Sequence, residues 1–350
     1  MPIFKPIFDG VDCRHLYIAG PCSAESREQV LEAACGIKAA GIGVMRAGVW
    51  KPRTRPGSFE GRGAVALEWL KEAKREYNLR VITEVATPEH IEAALRADID
   101  GVWIGARTTT NPFAVQEMAD ALRGVDIAVL VKNPVSPDVD LWAGSIERLL
   151  NSGLQRIAAV HRGFTTYDTS PYRNAPQWSV PIELHRRMPT ITMISDPSHI
   201  GGRRELIAGL SQEALDLGFD GLMIECHPTP ECALSDARQQ ITPDELKQTI
   251  ERLLWRRTPV EKDALMNFRL HIDSIDNRIL ELLSERMEVA RGIGEYKRQH
   301  NMAVVQQGRF NELLTAAEAR AEAMGVSRRF IYRIYTAIHE ESVRQQLDET

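Results

Sequence analysis

The feature that most constrains this chain is a rhythm. From His15 to about Arg257 a short apolar run is followed by a polar turn, then by an amphipathic helical stretch, and the pattern repeats. The strand candidates are Leu16–Ala19, Val44–Ala47, Val81–Val85, Val102–Ile104, Ala128–Val131, Ile157–Val160, Thr192–Ile194 and Leu222–Ile224. Between them apolar residues recur three and four apart, as in Gln29 to Ala40 and Val65 to Tyr77, which is the period of a helix with one buried face. Strands alternating with helices predict a parallel sheet. Eight such units in about 240 residues match a closed (β/α)8 TIM barrel. An open doubly wound sheet is the alternative, but no Gly-x-Gly-x-x-Gly follows the first strand.

Around Arg256-Arg257-Thr258-Pro259-Val260 the rhythm stops, and no strand pattern returns. A proline among charges marks a linker, dividing the chain into a barrel at 1–257 and an all-α domain at 258–350. Phe268, Ile272, Ile275, Ile279 and Leu282 step by four and three in turn, a seam on a helix predicted from about Glu261 to His300. So long a helix cannot bury its stripe alone, which implies a bundle and a homodimer. Shorter helices are expected at Phe310–Ala323 and Ser327–Leu347. The five cysteines (Cys13, Cys22, Cys35, Cys226 and Cys232) are odd in number and irregularly spaced, so reduced thiols are expected. No apolar run is long enough for a membrane span, and Met1 to Phe8 lacks the pattern of a signal peptide. A cytoplasmic location is expected. The net charge of −5 offers no general attraction to nucleic acid or to an anionic membrane. Any anionic substrate needs a local cluster of Arg and Lys.

In a (β/α)8 barrel, chemistry gathers where strands end and loops begin. Reactive residues fall at those points here. A lone strand-end arginine is more often a salt-bridge partner, and a lone cysteine is usually core, so the argument rests on the set. Arg46, Lys51, Arg53, Arg107, Lys132 and Arg162 form a cationic group. Converging cations without matching carboxylates repel unless an anion sits among them, and phosphate or carboxylate groups suit Arg and Lys. Cys22, His199, Glu225 and Asp236 form a second group. One thiolate, one imidazole and two carboxylates suit a first-row divalent metal; the bland alternative is a core cysteine beside unrelated polar residues.

The motifs GPCS at Gly20, KPRT at Lys51, GAR at Gly105, LVKNP at Leu130, HRGF at His161, SDPSH at Ser195 and IECHP at Ile224 resemble those of the 3-deoxy-D-arabino-heptulosonate 7-phosphate (DAHP) synthase family, of the shorter I-beta kind. KPRT separates that family from the related octulosonate phosphate synthases. The resemblance implies that Cys22, His199, Glu225 and Asp236 hold a divalent metal, manganese first, with iron, cobalt or zinc able to use the same ligands. It implies that Arg46, Lys51, Arg107, Lys132 and Arg162, with Ala106 between, hold phosphoenolpyruvate, and that Arg53 and Thr54 hold erythrose 4-phosphate. Lys51 is the candidate proton donor, and Glu84 a candidate for orienting it or the water. Arg55, Gly57 and the stretch Thr165 to Asn174 depart from the family's common form.

The tail resembles the all-helical chorismate mutases through Arg269, the IDSID run from Ile272, Arg286, Ile293-Gly294, Lys297, Arg309, Ser342 and Gln346. Arg286 and Lys297, 11 residues apart, fall within roughly 20° of one helical face. Ser342 and Gln346 share a face at i, i+4. Arg269 lies roughly 100° away from Arg286 and should reach a partner protomer's site. The bland reading of these charges is a solvated face. The resemblance implies that the four cations hold the carboxylates of chorismate and that Gln346 meets its ether oxygen, with no cofactor. Gln306 and Phe310 stand where the family often has Asp and Glu, which implies a slow mutase. The chain then reads either as a bifunctional shikimate-pathway enzyme or as a synthase whose tail mainly senses chorismate or prephenate. Prephenate is the expected feedback inhibitor.

Overall fold

The computed structural model describes residues 4–10, 15–52, 57–166, 170–256, 262–305 and 307–347, the side chains of 262–267 and 307 excepted. The chain divides into two compact units, Met1–Arg257 and Thr258–Thr350.

In the first unit eight strands close on themselves: β1 (Leu16–Gly20), β2 (Val44–Arg46), β3 (Arg80–Val85), β4 (Gly101–Ile104), β5 (Ala128–Lys132), β6 (Ile157–His161), β7 (Thr192–Ser195) and β8 (Gly221–Glu225). They lie in sequence order, and β8 pairs with β1 in parallel from Leu16↔Gly221 to Gly20↔Glu225. Several strands run one residue beyond their apolar runs, because Lys132, His161, Ser195 and Glu225 still belong to the ladder. β2 ends at Arg46 rather than Ala47, where the chain turns inward and Gly48 donates its N–H to the Cys22 carbonyl at 3.2 Å.

The surrounding helices are α1 (Arg27–Ala39), α2 (Val65–Tyr77), α3 (Pro88–Arg96), α4 (Ala106–Thr109), α5 (Pro112–Ala121), α6 (Val139–Asn151), α7 (Ser179–Arg187), α8 (Pro197–Gly201), α9 (Ile207–Asp216) and α10 (Pro243–Arg252). Several starts are written in the sequence. Ser26, Thr87, Asn111, Asp138 and Asp196 each accept a backbone N–H of the first turn, satisfying donors that the helix itself leaves orphaned. Thr242 and Glu245 form a reciprocal capping box at α10.

Because strand side chains alternate, the barrel has two cores. Outward-facing residues such as Met45, Val81, Val102, Val129 and Ala159 pack under the helices. Inward-facing Leu16, Ile18, Val44, Ile82, Trp103, Leu130, Val160, Ile194 and Met223 fill the lumen, and Ile7 and Phe8 of the N-terminal segment join that inner layer.

The second unit has three described helices: α11 (Lys262–Gln299), α12 (Gln307–Ala323) and α13 (Arg328–Leu347). α11 packs along α13, where Arg291 donates to Gln345 Oε1 at 3.0 Å and Arg298 to the Gln346 carbonyl at 3.0 Å. Gly294 permits the approach, since a Cβ there would stand 3.0 Å from Gln346 Cα. The seam residues Phe268, Ile272, Ile275, Ile279 and Leu282 remain exposed in the single chain, Phe268 at 70%. Among the described residues no helix is long and apolar enough to cross a membrane.

Candidate active sites

The alternation that fills the lumen also builds the site. Two residues beyond inward-facing Val44, Ile82, Leu130, Val160, Ile194 and Met223 come Arg46, Glu84, Lys132, Arg162, Asp196 and Glu225. A period of two therefore aims all six at the barrel axis on top of the apolar core. Trp103 forms the boundary: Arg46 Cζ sits 4.7 Å and Lys132 Nζ 5.8 Å from its ring centroid, within cation–π range.

The cations do not converge unaccompanied, which corrects the expectation that they lack matching carboxylates. Arg46 is fully buried, with Nη1 donating to Glu225 Oε1 at 2.9 Å and Nη2 to the Cys22 carbonyl at 3.1 Å. It lies beneath the mouth rather than in its lining, because its guanidinium is already enclosed by these partners and Trp103. Lys132 Nζ donates to Asp196 Oδ2 at 2.8 Å, and Lys51 Nζ stands 3.9 Å from Glu84 Oε2. Burial works against the Lys51 ammonium, but the neighbouring Cys22 and Glu84 outweigh it and hold its pKa above the usual lysine value. Burial lowers Arg162 to about 10, leaving it charged at neutral pH. Glu84 also explains Gly105, since a Cβ at that position would come within 2.2 Å of Glu84 Oε1.

A small cleft of about 70 Å³ remains at the mouth, lined by Lys51, Arg107, Lys132, Arg162 and Arg173 and by the carboxylates of Glu84 and Asp236. Counting Asp196 behind Lys132, five cations against three carboxylates leave an excess of positive charge in a partly desolvated space, which favours an anion. Ala106 and His199 line the same cleft. Arg53 and Thr54 lie outside the described residues, as does Gln306.

Beside this cleft, ligand atoms of Cys22, Glu225 and Asp236 all lie within 4.8 Å of one another. Cys22 Sγ is 3.5 Å from Asp236 Oδ2. His199 Nε2 is 3.7 Å from Glu225 Oε1, while its Nδ1 is 2.7 Å from Asp196 Oδ2. The clustered donors, a sulfur and two carboxylates, suit a divalent cation; His199, expected as a fourth ligand, stands beside Glu225 but is not among the clustered atoms, because its Nδ1 is held by Asp196. Burial, reinforced by Glu225, pushes the Cys22 thiol up to about 12. It is therefore a thiol by itself and becomes a thiolate only with a cation to stabilise it. Glu225 is held below the usual carboxylate range despite its burial, by His199 and Arg46.

The helical unit holds a separate cleft of about 440 Å³ between α11, α12 and α13, into which Arg286, Lys297 and Arg309 project past apolar walls such as Val289, Ile293 and Leu313. Lys297, Ser342 and Gln346 are buried in a unit that otherwise exposes most of its surface. Arg286 donates to Ser342 Oγ, and Lys297 Nζ donates to the Val304 carbonyl at 2.7 Å and to Gln346 Oε1 at 3.3 Å. Among the described residues no carboxylate lines the cleft. Phe310 stacks on His339 at 4.1 Å. Arg269 does not line it; 17 residues of helix separate it from Arg286, about 25 Å along the axis.

Sequence reading overlooked several residues. Asp196 joins Lys132 to His199, Arg173 and Gln239 touch the carboxylates of the candidate metal site, and Tyr335 and His339 line the helical cleft. Asp196 is legible by extending the inward period of β7. The others come from loops and from a distant helix face, where no period points to them.

A closed parallel barrel with a cationic mouth beside a Cys/Glu/Asp cluster defines the first unit as a (β/α)8 barrel domain, joined to a helical domain with a cationic cleft of its own. The DAHP synthetase I family model matches residues 2–262, and the chorismate mutase type II model matches residues 268–347. The chain belongs to the DAHP synthetase I family and carries a C-terminal chorismate mutase type II domain. It is 36% identical over 237 residues to the phospho-2-dehydro-3-deoxyheptonate aldolase of Thermotoga maritima, covering 67% of this chain and 68% of the relative. It is 28% identical over 270 residues to a 2-dehydro-3-deoxyphosphooctonate aldolase of Nitratidesulfovibrio vulgaris, covering 69% of this chain and 92% of the relative. The crystal structure of the Thermotoga maritima DAHP synthase superposes with a TM-score of 0.63 at 32% identity, covering 71% of this chain and 72% of that one.

Proposed function

We propose that the chain is a bifunctional enzyme of the shikimate pathway, acting in the cytoplasm. The barrel condenses phosphoenolpyruvate with erythrose 4-phosphate to DAHP and phosphate, and the helical domain rearranges chorismate to prephenate. The observation that carries the barrel reading is the cation-rich cleft directly beside the clustered ligand atoms of Cys22, Glu225 and Asp236, with His199 Nε2 3.7 Å from Glu225 Oε1.

Lys51, Arg107, Lys132 and Arg162, with Ala106 at the wall, grip the phosphate and carboxylate of phosphoenolpyruvate, and Arg46 supports them from below. Arg53 and Thr54 take the phosphate of erythrose 4-phosphate. Cys22, Glu225 and Asp236, with His199 beside them, would hold a divalent ion, manganese first and iron, cobalt or zinc as alternatives, which would supply Lewis-acid polarisation of the aldehyde oxygen. Carbon 3 of phosphoenolpyruvate attacks the aldehyde carbon, water adds at carbon 2, and phosphate leaves by carbon–oxygen cleavage. Lys51, kept protonated by its surroundings, delivers a proton to the new alkoxide. Glu84, 3.9 Å away, orients it. Holding two anions in register supplies much of the barrier reduction.

In the helical cleft Arg286, Lys297 and Arg309 meet the two carboxylates of chorismate. Lys297 and Gln346 lie together where the ether oxygen gains charge as its bond breaks, and Ser342 fixes Arg286. Arg269 reaches the cleft of a second protomer, and the exposed seam of α11 is the dimer surface. The stacked Phe310 and His339 replace a carboxylate at the hydroxyl end, which favours a slow mutase. Prephenate feeds back on the barrel by changing how the two domains associate.

Assaying the whole chain on both substrate sets, with and without chelator, tests the reading. Synthase activity should vanish in chelator and return with manganese, while mutase activity should ignore both. Full synthase activity of Cys22→Ala in chelator would reject the metal. If the tail on its own leaves chorismate unchanged, only a sensing role survives. Prephenate inhibition that persists after deletion of residues beyond Arg257 would reject the feedback.

A further inference from the structure

The motifs leave one feature of the barrel mouth unexplained. Asp236 and Gln239 sit at the two ends of a single tight turn: Asp236 has left-handed backbone angles (φ 49°, ψ 34°), and the Gln239 N–H donates to the Asp236 carbonyl at 3.1 Å. Gln239 is almost fully buried, and both ends of its amide are engaged. Its Nε2 donates to Glu225 Oε2 at 2.7 Å, and its Oε1 accepts from Arg173 Nη1 at 2.6 Å. The polarity of the amide is thus fixed, since the reverse would set its NH2 against a guanidinium. The same Arg173 Nη1 lies 3.1 Å from Asp236 Oδ1.

The next residue completes the frame. Gln240, also buried, accepts the Cys22 backbone N–H at 3.0 Å and donates to the Ser235 carbonyl at 2.8 Å. Three of the four donor residues are therefore tied to one turn: Asp236 by the backbone, Glu225 through Gln239 and Cys22 through Gln240. The fourth is tied to the loop that carries Arg173. There Asn174 Nδ2 donates to the His199 carbonyl at 2.7 Å, and the Asn174 N–H to the Ile200 carbonyl at 3.1 Å. Arg173 is seated by Gly202, where φ is +66° and an added Cβ would come within 2.4 Å of Arg173 Cβ.

We propose that Gln239 and Arg173 are positioning residues that hold Glu225 and Asp236 in ligand geometry before a metal arrives. The proposal rests on the metal reading of the site above. The physical case is that a ligating carboxylate left unsupported must be reoriented and desolvated at the moment of binding, whereas one already hydrogen-bonded is preorganised. Arg173 also neutralises part of the charge on Asp236 from its outer side, so Asp236 and Glu225 stand close without driving each other apart. Its second face belongs to the anion-binding cleft, so the loop after β6 connects metal and substrate subsites through one guanidinium.

The test is calorimetric titration of the full chain with Mn2+ alone, compared with Gln239→Leu and the charge-conserving Arg173→Lys. Gln239→Leu should weaken Mn2+ about 10- to 100-fold, the range for outer partners of metal ligands. Arg173→Lys should weaken it several-fold, because the shorter lysine side chain does not carry its ammonium to the point where Arg173 Nη1 meets both Gln239 Oε1 and Asp236 Oδ1. The double variant should fall short of the product of the two, since both act through one contact. Co2+ provides a second readout, as its thiolate charge-transfer band should shift in both variants. Wild-type affinity and an unchanged Co2+ spectrum in the two variants overturn the proposal. Failure of the wild-type chain to bind Mn2+ sinks the metal reading instead. If Gln239→Leu does not fold, Arg173→Lys at its exposed position decides the matter alone.

Discussion

Arg46 shows how a single residue is used differently from its chemical type. It is a cation at a strand end, yet it is sealed beneath the mouth and shared between Glu225 and the Cys22 carbonyl. Removing one partner of a buried pair leaves an uncompensated charge, so Arg46→Met should cost the barrel on the order of 3–5 kcal/mol, read as a lower urea midpoint. Adding Glu225→Gln should recover part of the loss. Cys22 makes a pH-dependent prediction. With its thiol pushed up to about 12, metal uptake must release its proton. Affinity should then rise about tenfold per pH unit between pH 6 and 8, and a pH-independent affinity would contradict Cys22 as a ligand. His161 lies on the outward face of β6 among Trp142, Phe164, Trp178 and Phe219. Burial lowers it from 6.5 to about 3. The unfolded chain binds its proton first, so its share of stability is full above about pH 6.5 and drains away as pH falls toward about 3. His161→Phe should flatten that limb of the stability curve in urea titrations at stepped pH.

Among the elements, the contact of α11 with α13 decides whether the helical cleft exists. Gly294 lies where the two helices touch, and a side chain there meets the backbone and stem of Gln346. Gly294→Val should push α13 outward, separate Gln346 from Lys297, and lower mutase turnover at least tenfold. The synthase rate of the same chain should hold, and equal loss of both activities would mean a general folding defect. In the barrel, element ends do the comparable work. The caps at Ser26, Thr87, Asn111, Asp138 and Asp196 start helices just past the strand ends, which fixes where each loop leaves the mouth.

At the scale of the molecule, the exposed seam of α11 is the surface proposed for association. Phe268, Ile272, Ile275, Ile279 and Leu282 run along one helix and stay open to solvent in the single chain, a contiguous stripe of the kind that marks an interface. Sedimentation should find a dimer, and Ile272→Asp with Ile279→Asp should dissociate it and abolish mutase turnover by removing the partner's Arg269. Mixing inactive Arg269→Ala and Lys297→Ala chains should restore turnover through the hybrid dimer, where one cleft is intact. No recovery on mixing would locate Arg269's role within its own chain.

The eightfold alternation of strand and helix, the break at the proline near residue 259 and the helical seam beyond it are periodic. A period states which side chains share a face whatever the neighbours are, so the sequence by itself determined both folds and aimed Arg46, Lys132, Arg162 and Glu225 at one end of the barrel. It could not say which cation would be neutralised. Only closure of the sheet brought Arg46 onto Glu225 and Lys132 onto Asp196, residues 179 and 64 positions apart. The links from Gln239 and Arg173 to the donor carboxylates were likewise settled in three dimensions, because irregular loops have no repeat to extrapolate. Pairing between charges depends on distance and desolvation, and those are properties of the packed chain rather than of any stretch of it.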